Sequence, residues 1–542
     1  DPVRREAVAR TTLTARRGAE LWPRVETRLD DYADDGEQLR AQVCERVDAQ
    51  RGSERGLAER TLACLAMHDQ VLDVVVELLA GDEDSGDPLD VVDALGTPTA
   101  CEQIDARASV AVPPPPQLDA AVRSLRRRIA AATAVAWAGR PEQAIASLQG
   151  LLAEVDALGY PPLQIDVHHA LGKAMQTTDV DAAIEQLSAA HALALRLGAD
   201  LEAVATLHSL ATVLAERSED IERAAWMLGE LEGWRARLGL AENPGVASLH
   251  ATIARARGDL DGAIEWGEQA LALSIGASPA VRTTLHASLG AMYAERQQLP
   301  RAREHTELAR ELAERAYGPT HRRTLRCRAN LVGLEYRLGH FAQAETMGRA
   351  LLDDFAASGS AELPETAVTR TMLGMVARAR GEFEGALQDD RRALDIRTRV
   401  FGERHRLVAE SLEKIALDEL GAGRPMAALT QLRRVVALRR ELHPSSHPAV
   451  AQARIELARA LLAAGEAVEA DREAHAALAQ LESSFARDDV RLYGPFLYAG
   501  MAALGVDDFD RARVDLDRAA ELGEIAELEP LDQAELELAR AR

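Results

Sequence analysis

The stretch LGMVARARGEFEGA at residues 373–386 decides the fold, because its pattern returns along most of the chain. Within it, Gly381 stands five residues before Ala386. The same glycine-to-alanine spacing recurs at Gly139 and Ala144, Gly258 and Ala263, Gly339 and Ala344, Gly423 and Ala428, and Gly465 and Ala470. Weaker copies lack the glycine and pair Thr178 with Ala183, Gln297 with Ala302 and Asp507 with Ala512, and one more copy lies near Ala224. Such regular spacing indicates an internal structural repeat.

The repeated alanine keeps a fixed period over the second half of the chain. It falls every 42 residues at Ala302, Ala344, Ala386, Ala428, Ala470 and Ala512. Small residues stand twelve positions earlier in most copies, at Gly290, Gly374, Ala416, Ala458 and Gly500. Two helices approach closely only where side chains are small, and a hairpin that cannot bury its apolar face alone stacks on the next one. We therefore predict an all-α fold, a right-handed α-solenoid of about ten helical hairpins over residues 117–525.

The segments between hairpins are also in register. They are Gly318-Pro319-Thr320-His321, Phe401-Gly402-Glu403-Arg404-His405 and Pro444-Ser445-Ser446-His447-Pro448. With them, the pattern resembles the tetratricopeptide repeat, and its 42-residue period resembles the kinesin light chain type. Equivalent positions in neighbouring repeats lie about 10 Å apart, too far for one zinc ion to join two of the histidines. We therefore predict a loop or helix-start role for these histidines.

The resemblance implies that the first helices of the hairpins form a concave groove for a protein or peptide ligand. The position fourteen residues before the repeated alanine faces this groove and holds Ser288, Asn330, Met372, Lys414 and Glu456. In kinesin light chain-like repeats an asparagine at this position can bind the backbone of the partner, and here only Asn330 keeps it. The alternative is that Asn330 is an ordinary groove residue.

Residues 1–112 do not show the period and are predicted to form a helical N-terminal region. Segments 27–49 and 57–80 are interpreted as helices joined by the turn 51–56, and a four-proline linker at 113–116 separates them from the repeats. Cys44 and Cys64 lie ten residues on either side of Glu54, so a helical hairpin places both about 15 Å from the turn. We predict a Cys44–Cys64 disulfide, which would imply an oxidising compartment; two buried free thiols are the alternative.

Part of this region suggests a functional context. The relevant stretches are Trp22-Pro23-Arg24-Val25-Glu26, Leu29-Asp30-Asp31-Tyr32-Ala33, Cys44-Glu45, Ala63-Cys64-Leu65 and Ala100-Cys101-Glu102. They resemble the region after the single membrane helix of bacterial serine/threonine kinases with C-terminal tetratricopeptide repeats. The resemblance implies the extracytoplasmic part of such a kinase. The alternatives are a free-standing cytoplasmic adaptor of the kinesin light chain-like type and the sensor half of a transcriptional regulator.

Composition and motifs argue against other functions. The net charge of −24 disfavours a nucleic-acid binder, which needs a basic face. The longest small-apolar stretch, 129–139, is too short to span a membrane. The sequence contains no phosphate-binding glycine loop, His-Arg-Asp or Asp-Phe-Gly kinase motif, zinc-protease motif or nucleophile elbow. We therefore predict a chain that is not an enzyme and needs no cofactor or metal.

Two further features have structural interpretations. The acidic run 82–87 places its glycine fifth rather than sixth, unlike a calcium-binding EF-hand, and is predicted to be a solvated loop. Residues 526–542 repeat the first-helix sequence of an earlier hairpin, since 537–541 match 456–460 residue for residue. We predict a terminal helix that packs through Leu536 and Leu538, either as the first half of a truncated repeat or as a cap.

Overall fold

A computed structural model describes most of the chain. The described residues are 2–14, 18–49, 53–81, 87–98, 101, 113–217, 220–357, 359, 361–444, 447–526 and 530–541. Over these ranges the structure contains 25 α-helices and no β-strand. The chain divides into two compact units, Asp1–Cys327 and Arg328–Arg542. The predicted all-α repeat fold is confirmed.

The first unit opens with an N-terminal helical region. Its helices are α1 Pro2–Thr14, α2 Gly18–Ala49, α3 Ser53–Ala80 and α4 Pro88–Val92, followed by a short 3-10 helix at Asp93–Leu95. Helices α2 and α3 pack together as predicted but are longer than predicted. Asp87 accepts a hydrogen bond from the backbone N–H of Leu89 at 3.0 Å and so caps α4. The rest of the acidic run, 82–86, lies outside the described residues.

Five helical hairpins complete the first unit. Their helices are α5 Asp119–Trp137, α6 Pro141–Leu158, α7 Pro162–Met175, α8 Val180–Leu197, α9 Asp200–Arg217, α10 Ile221–Leu238, α11 Pro244–Ala256, α12 Leu260–Leu273, α13 Pro279–Glu295 and α14 Leu299–Tyr317. Each helix packs on the next one along the chain. Several of these helices begin with a proline, whose fixed φ suits the first helical position.

The remaining hairpins belong to the second unit, apart from the first turns of α15, where the boundary falls. The helices are α15 Arg322–Arg337, α16 Phe341–Ala357, α17 Pro364–Ala379, α18 Phe383–Phe401, α19 Arg406–Gly421, α20 Pro425–Leu442, α21 Pro448–Ala463, α22 Ala467–Ser484, α23 Tyr493–Gly505, α24 Phe509–Ala526 and α25 Pro530–Ala541. Another 3-10 helix, Val490–Leu492, precedes α23. The hairpins of the described chain thus number ten, as the repeat predicts.

The terminal helix α25 packs on α23 and α24. Among the residues of α25 whose side chains are described, the buried ones are Leu536, which is 6% exposed, and Ala539, which is 2% exposed. The prediction that Leu538 packs beside Leu536 is wrong, because Leu538 is 57% exposed. Two residues apart on a helix are separated by about 200° of rotation, so the two leucines cannot share one face.

The small residues of the repeat lie where helices approach most closely. The repeated alanines from Ala144 to Ala512 are at most 1% exposed. A methyl group added to Gly290 would lie 2.5 Å from the hydroxyl oxygen of Thr306 on the second helix of its hairpin. At Gly500 it would lie 2.7 Å from a side-chain carbon of Leu516. These residue types therefore set the distance between the two helices of a hairpin.

The turn inside eight of the ten hairpins contains a residue in the left-handed backbone conformation, whereas the turn of the second hairpin, at Thr178, does not. The glycine of the repeat adopts this conformation, with φ of 75° at Gly381 and 72° at Gly423. Two weaker copies of the repeat put other residues into the same conformation, with φ of 61° at Gln297 and 60° at Asp507. At Gln297 and Asp507 the missing glycine therefore leaves the turn geometry unchanged and places an L-residue in a region it disfavours.

The periodic histidines cap the first helices of hairpins, which confirms their predicted helix-start role. The Nδ1 atom of each accepts a backbone N–H two residues later at 3.2 Å, as observed for His321, His405 and His447. Each imidazole also stacks on an aromatic ring four residues earlier, at centroid distances of 4.6, 4.5 and 4.2 Å. One side chain thus caps a new helix and packs on the end of the previous one.

The predicted Cys44–Cys64 disulfide is wrong. Cys64 instead bonds to Cys101, while Cys44 is free and exposed. The helical register explains the difference, because Val43 points into the core of the N-terminal region and is fully buried. The adjacent Cys44 lies about 100° further round α2 and faces away. The residue spacing predicted how far each thiol lies from the turn, but not the direction in which its side chain points around the helix.

Candidate protein-binding grooves

In the first unit, α3 covers part of the face formed by the first helices of the leading hairpins. A cavity of about 470 Å³, here called the first-unit cavity, lies between α3 and helices α5, α7 and α9. Met67 and Val71 of α3 line one wall, and Ile129 of α5 lines another. The predicted groove face of these hairpins is therefore partly occupied by the N-terminal region of the same chain.

A buried carboxylate joins the N-terminal region to the start of α15. Asp90 is 1% exposed, and its Oδ2 accepts a hydrogen bond from Nε of Arg322 at 2.7 Å. Arg323 donates to its other oxygen at 3.3 Å, and His321 lies 3.6 Å away. Burial alone would raise the pKa of Asp90, but His321 and Arg322 outweigh it and hold that pKa well below its usual value. Asp90 is therefore ionised over the whole physiological range.

Asp93 makes a second connection at the same place. Its Oδ2 accepts a hydrogen bond from the hydroxyl of Tyr317 at 2.7 Å, and its Oδ1 pairs with Arg28 at 2.7 Å. Arg28 also lies over the Tyr317 ring, 4.4 Å from its centroid. The N-terminal region thus contacts both the first hairpin, through α5, and the fifth hairpin, through α14.

Ser288, a predicted groove contact, is half-buried on α13 of this unit.

The second unit has an open groove beside its last hairpins. Its volume is about 1090 Å³, and we call it the second-unit groove. The wall residues include Arg378, Phe383, Leu417, Leu420, Arg459, Leu462, Tyr498, Met501, Leu504, Phe509, Leu538 and Ala539. Most of them lie toward the C-terminal ends of the first helices α17, α19, α21 and α23, and α25 contributes the last two. The wall is thus mainly apolar, with two arginines.

The other predicted groove contacts lie in the second unit. Asn330 is exposed on α15, while Met372, Lys414 and Glu456 are half-buried on α17, α19 and α21. The lining of the second-unit groove among the described residues includes none of them. Lys414 and Glu456 lie three residues before the wall residues Leu417 and Arg459, about one helical turn away.

Two of these residues nevertheless contact the groove wall. Glu456 lies 3.7 Å from Arg459, and the backbone carbonyl of Lys414 accepts a hydrogen bond from Arg378 at 3.4 Å. Burial raises the pKa of Glu456, with Arg459 and Lys414 opposing that shift. Lys414 and Glu456 therefore support the arginines of the wall, and their role as direct ligand contacts stays a prediction.

Beneath the second-unit groove, Arg378 bridges two buried carboxylates. It donates to Asp390 at 2.7 Å and to Asp418 at 2.6 Å, and both acids are at most 1% exposed. Burial raises the pKa of both carboxyl groups, and Arg378 opposes the shift. The sequence analysis did not identify this cluster. An acidic residue inside an otherwise apolar helix face, as at Asp418, was the available signal.

Among the described residues no helix is both long enough and apolar enough to cross a membrane.

The covering of the first-unit face by α3 was not predicted from the sequence. Its signal is the breadth of the apolar surface of α3, where Val74, Val75 and Leu79 are buried and Val71 and Leu78 are partly buried. So wide an apolar surface needs more than one packing partner.

A family model for the tetratricopeptide repeat matches residues 280–355 and 365–441. The chain therefore carries tetratricopeptide repeats, in the hairpins formed by α13 to α20. No match was found among curated proteins. The match to the repeat model agrees with the predicted repeat type.

Several solved structures share the architecture. One contains nearly identical tetratricopeptide-like repeats of a kinesin light chain from Podosopora anserina, with 18% identity, 38% of this chain and 97% of that chain covered, and a TM-score of 0.34. The quorum sensor NprR from B. thuringiensis is 13% identical, with 68% of this chain and 99% of that chain covered and a TM-score of 0.46. A signal transduction ATPase with a tetratricopeptide repeat sensor from Pyrococcus horikoshii is 14% identical, with 66% of this chain and 52% of that chain covered and a TM-score of 0.44. Each likeness concerns helical-repeat architecture alone.

Proposed function

We propose that this chain is a non-catalytic protein-interaction or sensing module that binds a peptide or protein segment in the second-unit groove. The observation that supports this most is the groove itself, about 1090 Å³ with mainly apolar walls. Phe509 is 62% exposed and Leu538 is 57% exposed at its end. Exposed apolar surface of this kind marks sites where another molecule is bound.

The wall favours a segment with apolar side chains. Arg378 is already engaged by Asp390 and Asp418, and Arg459 lies beside Glu456, so the two cations are largely compensated. Burial of apolar surface on Leu538 and Phe509 is then the main source of affinity, at about 25 cal/mol per Å² before the cost of association.

Selection of displayed random peptides on the full chain tests this proposal. We expect selected peptides to be rich in apolar residues and to lose binding to Leu538→Glu, which puts a charge on the groove wall. Val514→Glu is the matched control, because Val514 is 64% exposed on α24 and does not line the groove. If no peptide is enriched, or if both variants weaken binding equally, the second-unit groove is not the site.

We further propose that the chain is the C-terminal repeat region of a bacterial membrane-bound serine/threonine kinase, on the extracytoplasmic side. The resemblance of the stretches from Trp22 to Glu102 supports this context. The upstream reading frame tests it. A kinase domain followed by one hydrophobic helix is the expected finding, whereas a native start near Asp1 or a DNA-binding domain would favour an adaptor or a regulator.

A further inference from the structure

The first-unit cavity contains one of only two lysines in the chain. Lys173 of α7 lines it together with His169 of the same helix. Protein encloses most of the Lys173 side chain, which keeps partial exposure. An enclosed ammonium group is costly unless an anion compensates its charge.

No described carboxylate forms an ion pair with Lys173. Asp166, which also lines the first-unit cavity, is paired with Arg126 at 3.0 Å. The neighbour of the ammonium is the indole ring of Trp137, whose centroid lies 5.5 Å from Nζ. Such a cation–π contact supplies only part of the stabilisation lost with the solvent. Burial therefore lowers the pKa of Lys173.

The histidines around Lys173 add no negative charge. Burial lowers the pKa of His169 to about 4, with Lys173 contributing, so this imidazole is neutral at pH 7. Its Nε2 is already hydrogen-bonded to the hydroxyl of Ser209 at 2.8 Å. His208 also lies close enough for its pKa to be lowered further by Lys173. These two histidines thus supply no counter-charge to the ammonium.

The rest of the cavity wall is apolar over a substantial area. Val71 and Met67 of α3, Leu95, and Ile129 of α5 contribute to it. The volume of about 470 Å³ falls within the usual range for small-molecule sites. The charged lining residues besides Lys173 are Arg126, Arg127, Asp166 and Glu202, of which Arg126 pairs with Asp166 and Arg127 pairs with Glu77. Lys173 therefore lies, without an ion pair among the described residues, in a cavity whose wall is apolar over much of its area and carries one further carboxylate, that of Glu202.

We propose that the first-unit cavity binds a small organic anion, whose carboxylate or phosphate group pairs with Lys173 and whose body lies against Val71, Leu95 and Ile129. This site is separate from the second-unit groove and does not depend on the function proposed for it. The anion supplies the ion-pair partner that no described carboxylate gives Lys173, and the ligand touches both α3 and the repeat helices. Occupancy therefore stabilises the packing of the N-terminal region on the first hairpins.

The two lysines allow a direct measurement on the full chain. Reductive methylation with 13C-formaldehyde labels Lys173, Lys414 and the terminal amine, and Lys173→Arg and Lys414→Arg assign the signals. The probes are benzoate and phenyl phosphate, with benzyl alcohol as the uncharged control and inorganic phosphate as the head group alone. We expect a saturable shift of the Lys173 signal and a rise in its pKa, because a bound anion favours the charged form.

Which acid binds identifies the head group, since benzoate alone indicates a carboxylate and phenyl phosphate alone a phosphate. We expect Lys173→Met to weaken binding of the effective probe at least tenfold, while Lys414→Met leaves it unchanged. The pKa measurement in the unmutated chain keeps the test decisive if Lys173→Met unfolds. The proposal is overturned if neither acid shifts the Lys173 signal saturably, or if benzyl alcohol acts as well as the acids.

Discussion

Replacing Gln297 by glycine is expected to stabilise the turn of the fifth hairpin. Gln297 has φ of 61° and is exposed, so the change alters backbone preference without removing packing. The left-handed conformation costs an L-residue about 1–2 kcal/mol. Glycine avoids that cost but loses about 0.5–1 kcal/mol more conformational entropy on folding. The net gain is therefore about 0.5–1 kcal/mol.

Hydrogen exchange measured by mass spectrometry is the suitable assay, because a gain this small shifts the melting of a long repeat protein very little. The backbone N–H of Gln298 bonds to the carbonyl of Tyr293 at 2.8 Å and reports opening of the turn. A gain of about 0.5–1 kcal/mol slows exchange through local opening about two- to fivefold. Peptides covering residues 290–305 should show this change.

The reverse substitution is the control. Gly423 has φ of 72°, and an added methyl group would meet nothing within 4 Å, so Gly423→Ala isolates the backbone cost. We expect it to speed exchange at its own turn. Asp507→Gly should stabilise less than Gln297→Gly, because aspartate tolerates the left-handed region better. Faster exchange in Gln297→Gly would refute the argument.

Three further predictions follow from buried polar groups and thiols. Asp90→Asn should lower the free energy of unfolding of the first unit by about 3 kcal/mol in denaturant, because a buried ion pair loses one partner. The pKa of Asp90 is lowered in the folded protein, so the stability that the ion pair contributes is present at neutral pH and is lost on acidification below about pH 4. Burial lowers the pKa of His405, so its cap is complete above about pH 6.5 and weakens as the pH falls toward the folded pKa. The amide of Leu407, corrected for intrinsic rates, should then exchange faster at pH 5.5 than at pH 7, but not in His405→Asn. Iodoacetamide without reductant should label Cys44 and spare Cys327, which is buried with its pKa raised to about 11.

The sequence was most informative where the cause of the structure is local. Ala386 and Gly381 recur because most hairpins meet the same two requirements, a close helix contact and a left-handed turn. The capping histidines were predictable for the same reason. The pairing of Cys64 was not, since periodicity gives height along a helix and not the direction of a side chain.

Contacts distant in sequence explain the other failures. Nothing near Asp90 in the chain indicates that its partners are Arg322 and Arg323, more than 230 residues away. Likewise, nothing in the sequence around Lys173 and Asp166 indicates that these residues share a cavity with α3. The sequence predicted a ligand-binding groove on the first helices, but not the residues that line it. The wall of the second-unit groove lies about one helical turn beyond the predicted contacts Lys414 and Glu456.

The connection through Asp90 has a consequence for biosynthesis. Its partner Arg322 is translated 232 residues later. At about 5–20 residues per second, a ribosome takes about 10–50 s to cover that distance. During this interval the hairpins between them can fold on their own neighbours, whereas the N-terminal region still lacks its contacts with α14 and α15. Within the first unit, the part that is made first is thus the last to be secured, and protease treatment of ribosome-bound nascent chains would find it sensitive until α15 has left the exit tunnel.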